Sequence, residues 1–280
     1  WMFQNKLKIN DDKTEFLILS SPRTSVDRNT NLTIGTSEIT QSKSCRNLGV
    51  MFDSHIKMDV HINSVCRSTH FHLRNIAAIH HHLTDSAAAQ LVHALVTSRL
   101  DYCNSLLYGL PDTMIYRLQR IQNIACRIVC RAPKETHVTP LLKDLHWLQI
   151  RDRITFKILL LAYRALNNLA PEYISELIHL HQPVKDLRSG NLLQLAVPTT
   201  RLKTFGDRSF EAAAPKEWNK FPIDIKLSSS IVAFKSNVKT HLLTVPLQWY
   251  CYCIASAQNG NFEALYLQNG SMYRLGTNTI

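Results

Sequence analysis

Two adjacent aspartates, Asp11 and Asp12, stand near the start of the chain beside the apolar run "FLIL" at 16–19. Many nucleic-acid polymerases hold their catalytic metal ions with such a pair in a turn between strands. Two-metal phosphoryl transfer needs carboxylates from separate strands, placed so that both ions touch the reacting phosphate. The ten residues before Asp11 contain no acidic residue, and the segment "KLKIN" does not read as an apolar strand. The pair is therefore interpreted as part of a turn whose Asn and Asp side chains bond the backbone, and no catalytic residue is predicted.

A second candidate chemistry is phosphate binding by arginines on a helix. At about 100° per residue, the apolar side chains of residues 114–131 fall within one broad arc, which predicts a helix docked on one face. Four arginines lie within roughly 80° of each other along the edge of that arc; they are Arg117, Arg120, Arg127 and Arg131. Such a stripe is suited to tracking a nucleic-acid backbone. The alternative is a charged rim that only solvates the helix and covers the core with its side-chain stems.

The following helix repeats this arrangement more weakly, with Arg153, Lys157 and Arg164 on one side. These three residues are therefore also predicted to contact nucleic acid.

Histidine and cysteine clusters give weaker signals for a metal site. Neighbouring side chains among His80–His82 would point about 100° apart on a helix, so at most two could share an ion. Cys126 and Cys130 lie one helical turn apart but would need two further ligands, and their apolar neighbours favour burial. Cys251 and Cys253 lack the spacing of a zinc finger. The sequence therefore predicts neither a metal site nor a cofactor.

Composition and charge limit the possible partners. Of 280 residues, 45% are hydrophobic and 19% charged, and the formal net charge is +11. The basic excess falls within residues 61–245, which favours an anionic partner, nucleic acid before membrane. No apolar run approaches the roughly 20 residues of a membrane span. Seven cysteines, an odd number without a secretory signal, favour reduced thiols inside a cell, with nucleus and cytoplasm not distinguished.

The periodicity predicts an α+β fold, with short strands at the N-terminus followed by a mainly α-helical region. A strand is predicted at 14–20, a hairpin at 32–40 and a strand at 45–53 with Gly49 inside it. Helical spacing begins near residue 60, and Asp85 or Thr84 is expected to cap a second helix. The clearest later helices are predicted at 113–131, 150–168 and 229–243.

Several long stretches resemble the reverse transcriptases of LINE-type (non-long-terminal-repeat) retrotransposons of the jockey and chicken-repeat group. The match begins with "WMFQNKLKINDDKTEFLIL" and runs in register through "NLGVMFDSHIKMDVHI", "LVHALVTSRLDYCNSLLYGLP", "LQRIQNIACRIV", "TPLLKDLHWLQIRDRITFK", "APEYISEL", "LRSGNLLQLAVPTTRLKTFGDRSFEAAAPKEWNKFP" and "FKSNVKTHL". It covers roughly residues 1–244. In this family the stretch that contains Asp11 and Asp12 follows the catalytic Asp-Asp hairpin.

The resemblance implies a division of the chain and two further contacts. Residues 1–58 would be the end of the polymerase palm, 59–180 a thumb-like helical region and 181–245 a basic mixed region, with 246–280 an unmatched tail. Lys13 would approach the phosphates of the incoming nucleotide, and Gly49, between Leu48 and Val50, would belong to the primer-grip hairpin. The implied partners are RNA or an RNA/DNA primer-template, together with the missing fingers and palm segment; Mg²⁺ is implied only for the complete parent polymerase.

Three hypotheses follow. In the first, the chain is a truncated fragment of a retrotransposon RNA-directed DNA polymerase that binds primer-template or RNA but does not polymerise alone. In the second, it is a helical protein-interaction module, and in the third a non-functional pseudogene product.

Overall fold

The computed structural model describes residues 4–6, 10, 13–21, 24, 30–34, 37–181, 193–202, 205–244, 265–268 and 271–274. Asp11, Asp12, Cys251 and Cys253 lie outside the described residues, as does most of the tail 246–280. Within that tail, β5 (Leu265–Gln268) pairs antiparallel with β6 (Ser271–Arg274). The described chain is mostly helical with short antiparallel strands near the N-terminus, as the α+β prediction expects.

The N-terminal strands form two separate antiparallel hairpins. The strand β1 (Leu32–Ile34) pairs with β2 (Ser37–Ile39), which confirms the predicted hairpin. The strand β3 (Ser44–Asn47) pairs with β4 (Val50–Asp53). Residues 14–20 form no strand; Phe16 alone makes an isolated bridge, with Gln41.

Gly49 lies in a turn, and not inside a strand as predicted. Asn47 pairs with Val50 across β3 and β4, so Leu48 and Gly49 form a two-residue loop. Both have positive φ, 46° and 87°, the combination that a tight hairpin turn matching the strand twist requires. Leu48 in the turn continues the apolar run Val50–Phe52 of β4, which hid this turn in the sequence.

The second hairpin leads directly into the helical region through Asp53. Its carboxylate accepts hydrogen bonds from the backbone N–H groups of His55 (3.1 Å), Lys57 (2.9 Å) and Met58 (2.7 Å). These bonds fix the loop from which the first helix, α1 (Asp59–Ile79), begins.

The next helices are interrupted rather than continuous. Thr84 accepts a hydrogen bond from the Ala87 N–H at 3.2 Å and caps α2, as predicted. The elements of this part are α2 (Asp85–Val92), a π-helical turn (His93–Thr97), α3 (Ser98–Asp101), a 3-10 turn (Asn104–Leu107), α4 (Asp112–Val129) and α5 (Val138–Asp144). Helicity stops at Cys103, whose φ is 50°.

The helix α6 (Ile150–Leu166) lies at the centre of the later helices. It packs against α4 and against two helices of the C-terminal half. After it come α7 (Glu172–Ser175), α8 (Phe210–Trp218), α9 (Ile223–Lys226) and α10 (Ile231–Thr244). Tyr163, Phe234 and Trp218 stack with ring centroids 4.2 and 5.9 Å apart and join α6, α10 and α8. The helices predicted at 113–131, 150–168 and 229–243 are thus confirmed within two residues at each end.

Arg208 connects three distant segments just before α8. Its guanidinium donates to the carbonyl oxygens of Ile56 (2.8 Å), Tyr108 (3.1 Å) and Leu106 (3.3 Å). The Arg208 side chain fits because residue 109 is glycine: a Cβ there would lie 2.6 Å from Arg208 Cγ. Gly109 also has φ of +68°, a conformation that costs other residues about 1–2 kcal/mol.

We expect the Gly109→Ala variant to lose about 2–4 kcal/mol of unfolding free energy, because backbone strain adds to the clash with Arg208. Gly49→Ala is the matched control, since its φ is +87° but its Cβ would meet Tyr102 at an ordinary 3.4 Å. It should lose only about 1–2 kcal/mol. Denaturant unfolding of both variants measures the difference, and equal losses would show that the packing of Arg208 on Gly109 is unimportant.

Candidate nucleic-acid interface

The helices α1 and α4 lie side by side and run in the same direction. Near their N-terminal ends, Arg117 donates a hydrogen bond to the side-chain oxygen of Asn63. Near their C-terminal ends, Arg131 reaches the carbonyl oxygen of Leu83, just beyond α1. Burial raises the pKa of the Cys66 thiol while Arg117 acts in the opposite direction, as expected for an arginine beside α1.

Each helix contributes one row of side chains to the seam between them. On α1, the row begins with Asn63 and continues at helical spacing with Arg67, His70 and Arg74. On α4, the row contains Arg117, Arg120, Ile124 and Arg127. Both rows border the buried faces of their helices, represented by Ile62 on α1 and Ile121 on α4. We define the basic groove as Arg67, His70, Arg74, Arg117 and Arg120.

No acidic side chain from either helix opposes this groove beyond the first helical residue. Asp59 begins α1 and Asp112 begins α4, and the remaining residues of both helices contain neither Asp nor Glu. The positive field along the seam is therefore not neutralised by its own helices. Because phosphate contacts depend mainly on uncompensated charge, this arrangement is favourable for a polyanion.

Arg120 is the most available of the predicted arginines. It is exposed, and within the described residues it has neither a hydrogen bond nor an ion pair. Tyr116, 55% exposed, and Ile124 flank it one turn away on either side of α4. An arginine next to an exposed aromatic ring provides both a phosphate contact and a surface on which a base can stack.

Two other arginines of the predicted stripe hold parts of this chain together. Arg127 donates from Nε (3.3 Å) and Nη2 (3.2 Å) to the carbonyl oxygen of Thr136. Arg131 forms a 2.8 Å ion pair with Asp85 in addition to its bond with Leu83. A guanidinium has five N–H donors, so both groups keep donors for a ligand, but their positions are fixed by intramolecular bonds.

The second predicted row is divided by the packing of α6. Arg153 is 15% exposed and pairs with Asp101 at 2.8 Å, while its Nε donates to the Leu148 carbonyl at 2.8 Å. Lys157 is half-buried, and Arg164 is exposed near the end of the helix. The row is therefore not one continuous open surface.

The two contacts implied by the resemblance lie in the N-terminal part. Lys13 is exposed, and its backbone N–H donates to the Asn10 carbonyl at 3.1 Å. Gly49 packs against Tyr102, whose hydroxyl donates to the Leu48 carbonyl. The Leu48 side chain at this turn is 84% exposed.

Arg67, His70 and Arg74 were not among the predicted site residues. Their spacing along α1 places them within roughly 60° of each other, a signal that the sequence does contain. The sequence does not show that α1 and α4 are neighbours. Their packing places the two rows side by side and so forms one groove. The connection between the helices, from 80 to 111, gives no sign of their direction.

The described residues contain no group of three or more His, Cys, Asp or Glu side chains that could hold a metal ion. His80–His82 form a 3-10 turn after α1. Cys126 is fully buried, and burial raises its pKa to about 12. Among the described helices, none is long and apolar enough to span a membrane.

In comparisons with known proteins, no family model, no curated protein and no solved structure matches the chain. The resemblance to retrotransposon reverse transcriptases stays a prediction.

The arginines that hold the fold can be separated from those that face solvent by their effect on stability. Arg153→Gln should lower the unfolding free energy by about 1–3 kcal/mol, because it leaves the partly buried Asp101 carboxylate without its partner. Arg120→Gln should change it by less than about 0.5 kcal/mol. Denaturant unfolding compares the two; an equal cost would contradict the assignment of Arg120 to a free surface.

Proposed function

We propose that the chain binds RNA or an RNA/DNA primer-template through the basic groove, and that it corresponds to the palm end and thumb-like region of a LINE-type retrotransposon reverse transcriptase. The observation that supports nucleic-acid binding is the pair of parallel basic rows on α1 and α4. Neither helix contains an acidic residue after its first position. The second part relies on the sequence resemblance.

The size of the groove suits a short stretch of nucleic-acid backbone. At about 1.5 Å per residue, the row from Arg67 to Arg74 extends about 10 Å, and Arg117 and Arg120 are about 4.5 Å apart along α4. One strand of a duplex presents a phosphate about every 3.4 Å along its axis, so the α1 row could face about three phosphates and the α4 pair one or two. Contacts of this kind position the ligand without reading its sequence.

In this proposal the chain alone does not polymerise nucleotides. The resemblance places no metal-binding carboxylate of the polymerase on any residue of this sequence. Magnesium chemistry would belong to the complete parent polymerase, and the role of this chain would be to hold the nucleic acid. Lys13, Gly49, Lys157 and Arg164 remain proposed contacts of that larger assembly.

The double variant Arg67→Glu/Arg120→Glu tests the groove, since each residue is exposed on a different row. We expect its affinity for a short RNA hairpin or an RNA/DNA duplex to fall by about tenfold or more, because two phosphate contacts become repulsive. The dependence of log affinity on log salt should become shallower by about 1.4–1.8. Fluorescence anisotropy over a series of salt concentrations gives both quantities.

The matched control is Lys235→Glu/Lys239→Glu, which changes the net charge by the same amount on exposed positions of α10. Its RNA affinity should fall much less than that of the groove variant. If both variants bind like the unchanged protein while circular dichroism shows them folded, RNA binding by the groove is refuted. If both lose affinity equally, binding reflects overall charge and not this surface.

A further inference from the structure

A cleft of about 720 Å³ lies on another part of the molecule. Its walls come from residues 107–110, the first turns of α6, the end of α8 and the C-terminal part of α10. The apolar lining consists of Leu107, Leu110, Ile115, Ile154, Phe221 and Leu242. A cleft of this volume with an apolar lining and a few polar groups is typical of a site for a small organic molecule.

Most charged groups around the cleft already have partners within this chain. Lys216 pairs with Asp207 at 2.8 Å, and Lys220 pairs with Glu217 at 2.7 Å. Glu217 also accepts a hydrogen bond from the Tyr108 hydroxyl at 2.7 Å. Charges that are held in this way offer little net attraction to an incoming anion, which would have to compete with a carboxylate for each cation.

The two arginines at the cleft are likewise engaged. Arg151 forms an ion pair with Asp112, outside the cleft. Arg208 donates to three backbone carbonyl oxygens. Burial lowers its pKa, but the pKa of a guanidinium is so high that the group stays charged. Neither guanidinium is left as an uncompensated charge for a ligand.

Asp152 differs from all of these groups. It lies in the first turn of α6, is half-buried, and within the described residues has neither a hydrogen bond nor an ion pair. Burial raises its pKa to about 6, and Arg151 only partly counteracts this effect. A carboxylate held out of water without a partner is costly, and a cationic ligand would reduce that cost.

We propose that this cleft binds a small organic cation, with its ammonium or amidinium group paired to Asp152 and its apolar body against Leu110, Ile154 and Phe221. The choice of a cation follows from the pairing described above, because among the described charged groups that line the cleft the one without an ion pair or hydrogen bond is a carboxylate. This site is independent of the basic groove and of the proposed nucleic-acid binding.

Binding should depend on pH through Asp152. On its other side, Asp152 borders a small pocket with Lys143 of α5. The other titratable groups that face the cleft, besides the two arginines above, are Tyr108 from the 107–110 segment, Asp207, Lys216, Glu217 and Lys220 around α8, and His241 on α10. Burial raises the pKa of Tyr108 and lowers that of His241, so the tyrosine stays protonated and the histidine neutral near neutral pH. Protonation of Asp152 below about pH 6 would remove the ligand's counter-charge.

The test uses the full chain with benzamidine as the cationic probe and benzoate as its anionic counterpart of similar shape. Isothermal calorimetry or NMR titration at about pH 7.5 should show saturable one-to-one binding of benzamidine, about tenfold weaker at about pH 5 because most of Asp152 is then protonated. Asp152→Asn should weaken binding about tenfold at the higher pH and abolish its pH dependence. Benzoate should bind more weakly than benzamidine to the unchanged protein.

Asp144→Asn provides the matched control, since it removes one exposed carboxylate on α5 outside the cleft. Its affinity for benzamidine should equal that of the unchanged protein. The proposal is overturned if benzoate binds as tightly as benzamidine, if Asp152→Asn binds like Asp144→Asn, or if benzamidine shows no saturable binding. Circular dichroism of each variant confirms that a loss of binding is not a loss of fold.

Discussion

The guanidinium of Arg208 is the contact on which the arrangement of the described segments most depends. It joins the loop before α1 through Ile56, the segment before α4 through Leu106 and Tyr108, and its own segment before α8. In the chain, Ile56, Leu106 and Tyr108 lie 152, 102 and 100 residues before Arg208. Hydrogen bonds from a charged donor to otherwise unpaired carbonyl oxygens contribute more than neutral ones, and Asp53 adds favourable charge to the same arginine. Since Asp53 also fixes the start of α1, one small charged cluster sets the position of the helix that borders the basic groove.

This way of using arginine explains why a stripe on a helix is not automatically a binding surface. On α4, Arg120 has no hydrogen-bond partner within the described residues. Arg117 at the seam with α1, and Arg127 and Arg131 further along the row, each bind an acceptor of this chain. Whether an arginine is free depends on which hydrogen-bond acceptors lie beside it at that point of the helix. Near the C-terminal end of α4, the loop at Thr136 and the start of α2 at Asp85 supply acceptors. Around Arg120, the neighbouring residues supply none, so the charge remains directed to solvent.

Local signals in the sequence predicted the helices well, because an apolar period of 3.6 and a capping threonine are properties of consecutive residues. The same reasoning failed at Gly49, where the apolar Leu48 in the two-residue turn makes the turn look like the start of the apolar run in β4. It also could not separate Arg153 from Arg120. The partner of Arg153 is Asp101, 52 residues earlier in the chain, and only packing of α3 against α6 brings the two together. Long-range pairs of this kind decide which predicted site residues are free, and the residue pattern of one helix contains no information about them.

The net charge of +11 suggests an anionic ligand for the whole molecule, yet the structure distributes that charge in two different ways. In the basic groove, cations from two helices lie together without acidic residues from those helices beyond their first positions, so an approaching polyanion meets a field that these helices do not offset. At the cleft, lysines and arginines are as numerous, but each is matched by a carboxylate or by carbonyl oxygens, and of the described charged lining groups the Asp152 carboxylate is left unmatched. What a surface attracts is set by the groups that folding leaves without a partner. One basic chain can for that reason present a site for an anion on one side and a site for a cation on another.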